Sequence, residues 1–314
     1  MFHTVSTRIA QAVPVMLIVA VLTFFLMHLL PGDPAVIIAG DQAGPEAIEA
    51  MRRTLGLDRP LLEQLWLWLT HLAQGNFGES LVLNQPVLSA VAERMPVTLS
   101  LAAVAFAITL PVGIALGITA AYWRDSWLDS AVMGFALLGV SVPNFWIATL
   151  SVILFSVNLG WLPSAGYVPM EDGFFEWLGA LIQPAAVLAL FQIGFLARMT
   201  RSEMLEILDQ DYVRTARAKG VSEFFTVSKH AFRNTLVQVL TVGGYIVWVL
   251  IGGSVVVEQV FALPGIGRLL VQAIMARDYP TVQGTMLLLG FAFVLINVLI
   301  DVLYTFIDPR VRYD

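Results

Sequence analysis

The sequence predicts an all-α, polytopic membrane protein with about six transmembrane helices. Of its 314 residues, 58% are hydrophobic and 13% are charged, and the mean hydropathy is +0.80. A soluble domain carries roughly 25% charged residues. Apolar runs of about 20 residues recur, and that length crosses a hydrocarbon core of about 30 Å. The runs are continuous and do not alternate with polar residues, which favours helices over an outer-membrane barrel.

Six apolar runs define the predicted spans. The first is about 22 residues long, which exceeds the 7–15 residues of a signal-peptide core, so we expect an uncleaved first span. The chain has no cysteine, so disulfide and thiol chemistry are excluded. The predicted spans are about 9–30, 97–122, 130–157, 182–200, 236–257 and 282–307.

The distribution of Lys and Arg predicts the orientation. If the N-terminus is cytoplasmic, eleven of the seventeen cationic residues fall on the cytoplasmic side or at its edge, and six fall outside. Cytoplasmic loops of membrane proteins carry this excess of positive charge. The loop from Asn158 to Leu181 contains no Lys or Arg, which fits an outer position. We therefore expect both termini in the cytoplasm.

The long first outer loop is predicted to contain amphipathic helices. The stretch from Pro45 to Leu55 is predicted to form a helix that ends at Gly56. Asp58 is the expected N-cap of the next helix, with Pro60 in its first turn. We expect this second helix to pack on neighbouring spans or to lie at the membrane interface. A further short helix, at about Pro86 to Arg94, is expected before the second span.

The spans are rich in glycine. Gly113 and Gly117 form a G-x-x-x-G pattern, which lets helix backbones approach closely. We expect this pattern to serve packing inside one bundle in preference to a dimer interface. The glycine pairs 243–244 and 252–253 in the fifth span either allow bending or line a pathway.

Ionisable residues inside the spans are few. Glu258 lies at the outer end of the fifth span and Asp301 near the cytoplasmic end of the sixth. An acid inside a membrane is a functional candidate by default. Both residues lie close enough to a span end to reach water or an interfacial cation, and a structural role is favoured for Asp301. No pair of acids at mid-depth indicates an ion relay.

Motifs of known chemistry are missing from the sequence. It contains no phosphate loop, no H-E-x-x-H and no G-x-S-x-G. The four histidines are scattered and do not have metal-ligand spacing. We therefore predict no catalytic residue, no metal site and no cofactor in this chain, so that the energy for any transport comes from a partner or from a gradient.

The most polar segment between two spans is strongly basic. The window from Arg198 to Asn234 holds seven of the seventeen Lys and Arg residues. It reads as two short helices with a break, in which Asp211 caps the first helix and Gly220 ends it, and Ser222 starts the second. Such a segment either docks on a partner protein or lies on anionic lipid.

The spacing inside this segment is specific. From Arg214 the chain reads Arg-Thr-Ala, three residues, Gly220, nine residues and His230. This spacing resembles the cytoplasmic loop of ABC importer permeases, whose general pattern is E-A-A-x3-G-x9-I-x-L-P, although only Ala216 and Gly220 match its general residues. The string DYVRTARAKG followed by H-A-x-R-N is similar to the variant in the peptide and nickel branch of that family.

Further stretches along the whole chain resemble the same branch, and in particular its B-type permease subunit. These stretches are HLLPGDP at 28–34, LGLDRPL at 55–61, GNFGES at 75–80, FALPGIGRLL at 261–270, RDYP at 277–280 and DVLYTFIDPRVRY at 301–313.

The resemblance implies a transmembrane permease subunit of an ATP-driven importer in the bacterial inner membrane. Its partners would be a homologous second permease, two ATPase subunits that use ATP and magnesium, a periplasmic or extracellular solute-binding protein, and membrane lipid, with no nucleic acid. The substrates of the branch are dipeptides, oligopeptides, glutathione, nickel chelates and related solutes. The alternative is a gradient-driven secondary transporter, which would have inverted repeats and ion sites at the midplane.

The resemblance also implies roles for particular residues. Ala216 and Gly220 would make the tightest contacts with the ATPase subunit. The residues expected to couple ATP hydrolysis to transport are Asp211, Tyr212, Arg214, Thr215, Ala216, Arg217, Lys219, Gly220, His230 and Arg233.

Two outer turns are expected to meet the solute-binding protein or to gate the pathway. The alternative is that they are structural turns only. Their residues are Pro31, Gly32, Asp33, Pro34, Pro264 and Gly265. The sequence further suggests two parts, namely 1–96, with the first span and outer loop, and 97–314, a permease core of five spans that includes the coupling loop 201–235.

Overall fold

The computed structural model describes residues 2–29, 33–39 and 43–307. The regular elements within these ranges are helices, apart from one isolated bridge between Glu79 and Pro86. The predicted all-α class is therefore confirmed.

The helices follow one another with short connections. A 3₁₀ turn, Met170–Asp172, precedes α8, and π-helical turns, Val152–Asn158 and Thr226–Ala231, follow α7 and α10. The α-helices of the described ranges are α1 (Phe2–Leu29), α2 (Pro34–Ala39), α3 (Pro45–Thr54), α4 (Leu61–Ala73), α5 (Val87–Tyr122), α6 (Trp127–Ser141), α7 (Asn144–Ser151), α8 (Phe174–Leu208), α9 (Asp211–Ala218), α10 (Glu223–Phe225), α11 (Phe232–Val260), α12 (Ile266–Met275) and α13 (Tyr279–Ile307).

Several of these helices are long and apolar enough to cross a membrane. Among the described residues, four helices meet that criterion in α5, α8, α11 and α13, and the pair α6–α7 makes a fifth if it counts as one bent span. The first predicted span coincides with α1, in which Val13–Leu26 forms a shorter apolar helix. A multi-pass protein is confirmed, whereas the count of six spans remains a prediction.

The third predicted span, 130–157, is not one straight helix. α6 and α7 meet at an angle of 100°. Val142 between them is extended, with φ −94° and ψ 127°, and Pro143 follows it. A proline disfavours the helical conformation of the residue before it and has no N–H to donate. The break therefore follows from the Val-Pro pair.

Two helix starts differ from the prediction. α4 begins after Pro60, which occupies the N-cap position, so Asp58 does not cap it. The short helix expected at 86–94 is the first part of α5, which runs without a break to Tyr122. Prolines inside membrane helices are tolerated because neighbouring groups satisfy the freed backbone, so Pro96 does not end this helix. Gly56, with φ +70°, closes α3 as predicted.

The chain forms two compact units. One contains Met1–Pro96 and Arg268–Leu299, and the other contains Val97–Gly267. This grouping differs from the suggested division at 1–96 and 97–314, because Arg268–Leu299 packs with the N-terminal part of the chain.

Close helix packing in the second unit depends on glycine. A Cβ atom at Gly117 would lie 2.5 Å from the Cβ of Thr200 and 2.7 Å from the carbonyl oxygen of Ala197. At Gly113 it would lie 2.9 Å from Leu196. The G-x-x-x-G pattern thus joins α5 to α8 within one chain, as predicted.

Candidate coupling site and outer turns

The basic segment forms a short helix that is anchored on the rest of the second unit. Val213 and Ala216 are three residues apart, lie on one face of α9 and are buried, whereas the other residues of that helix are exposed. Val213 belongs to an apolar cluster that also contains the ends of α5 and α8. The buried members of this cluster are Ala121, Met204, Leu208, Val213, Val227 and Ala231.

A left-handed glycine ends α9. Gly220 has φ +81°, and its N–H donates to the carbonyl of Arg217 at 3.0 Å. The N–H of Val221 donates to the carbonyl of Ala216 at 3.2 Å. These bonds close the helix in the pattern typical of a C-terminal glycine, so the predicted helix end at Gly220 is confirmed.

An ion pair spans this turn. Arg217 donates from Nε to Oε2 of Glu223 at 3.1 Å and from Nη2 to Oε1 at 2.7 Å. The hydrogen bond to Glu223 raises the pKa of Arg217 above its usual value. The pair fixes the end of α9 against the start of α10.

Two details of the predicted hairpin are wrong. Asp211 is the first residue of α9 and does not cap it, because Gln210 occupies the N-cap position. The second short helix is not separate, since α10 continues through the π-helical turn directly into α11. The apolar sequence after Asn234 continues the helical chain, so no second break forms.

The exposed face of α9 carries most of the predicted coupling residues. The side chain of Asp211 lies 3.7 Å from Arg214, and the hydroxyl of Thr215 donates to the Asp211 carbonyl at 2.8 Å. The Tyr212 hydroxyl accepts from Nδ2 of Asn234 at 2.7 Å, which joins α9 to α11. Other exposed residues are Arg217, Lys219, Gly220 and Arg233.

Three predicted coupling residues do not lie on that face, and one of them, Arg233, is exposed on α11. Ala216 is only 9% exposed and shares the buried face of α9 with Val213, so in this conformation it does not present a surface to a partner. His230 lies in the π-helical turn, and its side chain is outside the described residues.

Sequence reasoning missed two aromatic residues beside this site. Phe224 and Phe225 are 73% and 56% exposed. Large exposed aromatic residues next to arginine are frequent anchors of protein interfaces. Two adjacent phenylalanines inside an otherwise polar segment could have indicated this exposed aromatic surface from the sequence.

A buried ion pair supports the site from the α6 side. Arg201 on α8 donates from Nε and Nη2 to the two carboxylate oxygens of Asp129, both at 2.6 Å. Asp129 is 6% exposed. The hydrogen bond from Arg201 holds the pKa of Asp129 below its usual range, although burial opposes that shift. This pair ties the start of α6 to α8 just before the coupling segment.

The first outer turn is described only in part. Pro31 and Gly32 lie outside the described residues, and Pro34 begins α2. Asp33 accepts from the N–H of Ala35 at 2.9 Å and pairs with Arg52. Partial burial raises the pKa of Asp33, but these hydrogen bonds outweigh it, so the pKa lies below its usual range.

The second outer turn contains Pro264, which is exposed, and Gly265, which is buried. Gly265 lies against the carboxylate of Glu258. Glu258 has 0% exposure, so it does not reach water, and the alternative of an interfacial cation stays a prediction. It accepts hydrogen bonds from Thr98 and Ser254. The hydroxyl groups of two neighbouring residues take the place of water. The side chain of Asp301 is outside the described residues.

Two of the outer-loop stretches meet in the first unit. Asp278 of RDYP accepts from the hydroxyl of Ser80 of GNFGES at 2.5 Å and from the Leu81 N–H at 3.2 Å. Further residues of these stretches, with His28, line a cavity of about 380 Å³ in the same unit. GNFGES and RDYP, two of the stretches that carry the family resemblance, thus share one packing site.

Comparison with known families identifies the chain. A family model described as "Binding-protein-dependent transport system inner membrane component" matches residues 113–313, and a model for the N-terminal part of such components matches residues 1–102. The chain belongs to this family. It is a multi-pass permease subunit of an ABC importer in the inner membrane and works with a solute-binding protein and other subunits. Membership in this family sets aside the gradient-driven alternative.

Relatives of the permease match over its whole length. A protein of Brucella abortus (strain 2308), provisionally named a peptide transport system permease, is 69% identical and covers 98% of each chain. The glutathione transport system permease protein GsiC of Salmonella typhimurium (strain LT2) is 44% identical and covers 100% of each chain.

A solved structure shares the fold of the permease. It shows the MetNI methionine ABC transporter in an inward-facing conformation. The match has a TM-score of 0.54 and 21% sequence identity, and it covers 71% of the permease and 96% of the solved chain. The helical arrangement of the permease therefore follows that of a known ABC transporter.

Proposed function

We propose that the permease moves peptides, or a related small solute such as glutathione or a nickel chelate, into the cytoplasm. In this proposal it pairs with a homologous second permease above two ATPase subunits. The ATPase subunits bind ATP and magnesium and do all the chemistry, and this chain contributes neither a catalytic residue nor a cofactor. The solute-binding protein delivers the substrate from outside.

The names of the relatives support the substrate class. The Brucella abortus relative carries the name of a peptide system and the Salmonella relative that of a glutathione system. Glutathione is itself a small peptide, so both names refer to one chemical class. The 69% identity to the first relative favours peptides as the broader substrate.

The single observation that supports a coupling role is that α9 has one buried face and one exposed face. Its buried face is anchored through Val213, so a force applied to the helix moves the ends of α5 and α8 with it. Its exposed face presents cationic side chains that would meet acidic groups and orient the contact. A short helix that lies in a groove of a partner is a compact, stiff contact.

The orientation follows from this role. Both termini and the segment 201–235 would lie in the cytoplasm, where the ATPase subunits are. The two outer turns would face the solute-binding protein, and Asp33 and Pro264 are described residues of these turns that are at least partly exposed. The excess of Lys and Arg on the proposed cytoplasmic side supports this arrangement.

Co-purification from the native membrane tests the proposal. The tagged permease is expected to bring down a second permease, an ATPase with a phosphate loop and a solute-binding protein, all identified by mass spectrometry. Substitution of Arg214 by Glu should reduce the recovered ATPase, because it reverses the charge of the docking face.

A matched control separates docking from general charge effects. Arg53 in the first outer loop is as exposed as Arg214, with side-chain exposures of 71% and 66%. Arg53→Glu should leave recovery of the ATPase unchanged. Recovery of the permease alone, as a homo-oligomer without an ATPase, would contradict the proposed function.

A further inference from the structure

The outer turn between α11 and α12 is held by a buried carboxylate. Glu258 accepts a hydrogen bond from the Thr98 hydroxyl at 2.7 Å and from the Ser254 hydroxyl at 3.0 Å. The Thr98 oxygen in turn accepts the N–H of Ile266 at 2.9 Å. Thr98 on α5 thus joins Glu258 on α11 to the first residue of α12.

The turn is folded directly onto this carboxylate. A Cβ atom at Gly265 would overlap the carboxylate of Glu258. A Cβ atom at Gly267 would lie 2.6 Å from the Cα of Val255 and 3.0 Å from Glu258. At Gly267 the close backbone atom of Val255 leaves no room for a Cβ atom, and at Gly265 a Cβ atom would push the Glu258 carboxylate out of its place. The backbone of the turn therefore packs against Glu258.

The same helix reaches the coupling segment at its other end. α11 runs unbroken from Phe232 to Val260, which corresponds to about 43 Å at about 1.5 Å per residue. Near its start, Thr235 is buried and its hydroxyl contacts the sulfur of Met204 at 3.2 Å and the carbonyl of Ala231 at 3.2 Å. The π-helical turn Thr226–Ala231 leads into α11 without a break.

We propose that Glu258 is a positioning residue that locks the Pro264–Gly265 turn to α11. A contact of the solute-binding protein on this turn then moves α11 and the coupling segment as one body. The inference rests on the proposed function, because it takes the solute-binding protein as the partner of the turn. Glu258 itself touches neither the substrate nor the ATPase in this proposal.

Three substitutions test whether Glu258 holds the turn through its hydrogen bonds or only by filling space. Glu258→Gln keeps the length of the side chain and a carbonyl oxygen that accepts from Thr98. Glu258→Leu fills the same space but accepts nothing, which leaves the Thr98 hydroxyl without this acceptor, whereas Ser254 still donates to the carbonyl of Ile251. Thr98→Val removes the hydroxyl that bridges to Ile266. The matched control is Thr109→Val, because Thr109 is buried on the same helix and its hydroxyl donates only locally, to Ala105.

The experiment uses the complete complex of two permeases, two ATPases and the solute-binding protein in lipid nanodiscs. The chain has no cysteine, so with partner subunits freed of cysteine, spin labels at Pro264→Cys and Ala103→Cys report on this subunit alone. Both positions are exposed. Two quantities are measured, namely the distance distribution between the labels and the factor by which loaded solute-binding protein stimulates ATP hydrolysis.

If Glu258 locks the turn, the width of the distance distribution and the stimulation of ATP hydrolysis should change together. Glu258→Gln and Thr109→Val should keep a narrow distribution and a stimulation within about twofold of the unaltered complex. Glu258→Leu and Thr98→Val should broaden the distribution and lower the stimulation about fivefold or more, as for a coupling of about 1 kcal/mol. Rescue by the Gln variant would separate a hydrogen-bonding lock from a requirement for charge.

Other results of the same measurements would contradict the proposal. An unchanged distribution in Glu258→Leu and Thr98→Val would overturn the lock. A broadened distribution with full stimulation would overturn its role in transmitting the contact. If the unaltered complex shows no stimulation, the proposed function fails, and the distance distributions still decide whether Glu258 holds the turn. If Glu258→Leu does not fold, Thr98→Val gives the same decision.

Discussion

Arg217 holds Glu223 through two hydrogen bonds, of 2.7 and 3.1 Å, across the turn at Gly220. The two residues are six positions apart and belong to consecutive helices, so the pair sets the angle at which α9 leaves the following helix. Both side chains are about 40% exposed. Exposed ion pairs stabilise a fold by at most about 1 kcal/mol. The pair therefore controls local geometry more than global stability.

Replacing Arg217 by Gln is expected to lower ATP-driven peptide uptake about two- to fivefold, the factor that corresponds to about 0.4–1 kcal/mol. The thermal unfolding midpoint should hardly change. Uptake into proteoliposomes that contain the complete importer measures the effect. The double variant Arg217→Glu with Glu223→Arg restores a pair of opposite charges and should recover part of the uptake. Equal loss in the single and double variants would contradict a role for the pair.

Substitution of Gly220 by Arg is expected to uncouple ATP hydrolysis from uptake while the permease still reaches the membrane. The glycine has φ +81°, a conformation that costs other residues about 1–2 kcal/mol. No atom lies within 4 Å of a Cβ built there, so a side chain would project from the docking surface without disturbing the core. Membrane immunoblots, uptake and ATP hydrolysis are measured together.

The control for this position is Gly220→Asn, because Asn adopts the left-handed conformation more readily than other residues and is smaller than Arg. It should retain most of the uptake. Normal uptake by the Arg variant would show that the turn does not approach a partner closely.

A structural feature could be predicted from the sequence alone when it depends on residues that are close together in the chain. Gly56 and Gly220 end their helices where glycine is expected, because the backbone conformation depends on the residue itself. The apolar runs located the long helices for the same reason. The G-x-x-x-G pattern at Gly113 and Gly117 predicted a close helix contact, but the sequence did not reveal that α8 is the partner.

Features that depend on distant residues were not predictable. Glu258 was expected to reach water or an interfacial cation, yet it is fully buried and its hydrogen-bond partner Thr98 lies 160 positions away. The resemblance implies a tight partner contact at Ala216, and in this structure Ala216 shares the buried face of α9 with Val213. Such assignments require the tertiary fold, because the local sequence does not specify which face of a short helix is covered.

The ion pair of Asp129 and Arg201 is expected to make stability pH-dependent. The pKa of Asp129 is depressed in the folded chain, first by the hydrogen bond from Arg201, so its contribution is present above the unfolded pKa of about 3.9. That contribution is lost as the pH falls through the folded pKa, below about pH 4. Asp129→Asn should cost about 3 kcal/mol at pH 7, because it leaves Arg201 without its charge partner.

Thermal unfolding midpoints of the purified permease measure this dependence. The difference between the unaltered chain and Asp129→Asn should be the same at pH 7 and pH 5 and should shrink below pH 4. A difference that stays constant down to pH 3 would mean that another interaction, and not the ionised carboxylate, accounts for the effect.

Gly117→Ala is expected to destabilise the permease by about 1–3 kcal/mol, the usual cost of overpacking. The added methyl group would lie 2.5 Å from the Cβ of Thr200, so α5 and α8 must move apart. Gly134→Ala is the matched control, since nothing lies within 4 Å of a Cβ at that helical position. Alanine favours helices more than glycine does, so the control should be neutral or slightly stabilising. Equal unfolding midpoints for both variants would contradict the close contact.

Asp278→Asn is expected to loosen the outer loops of the first unit. One carboxylate oxygen accepts from the hydroxyls of Ser80 and Thr281, at 2.5 and 2.8 Å, and the other accepts from the N–H groups of Leu81 and Thr281, at 3.2 and 3.3 Å. An asparagine amide would turn its NH₂ group toward one pair of donors. That mismatch should cost about 1–3 kcal/mol, because a buried polar group loses its partner.

Hydrogen exchange at residues 76–86 measures this loosening directly, since the loop there is held by its bonds to Asp278. The exposed Asp58 of the same unit gives the control Asp58→Asn, which should leave exchange unchanged. Ser80→Ala removes one donor and leaves a competent acceptor, so it should raise exchange less than Asp278→Asn does. Protection equal to that of the unaltered chain in Asp278→Asn would mean that the loop is held by its apolar packing, in which case Phe77 against Gly284 would be the contact to alter next.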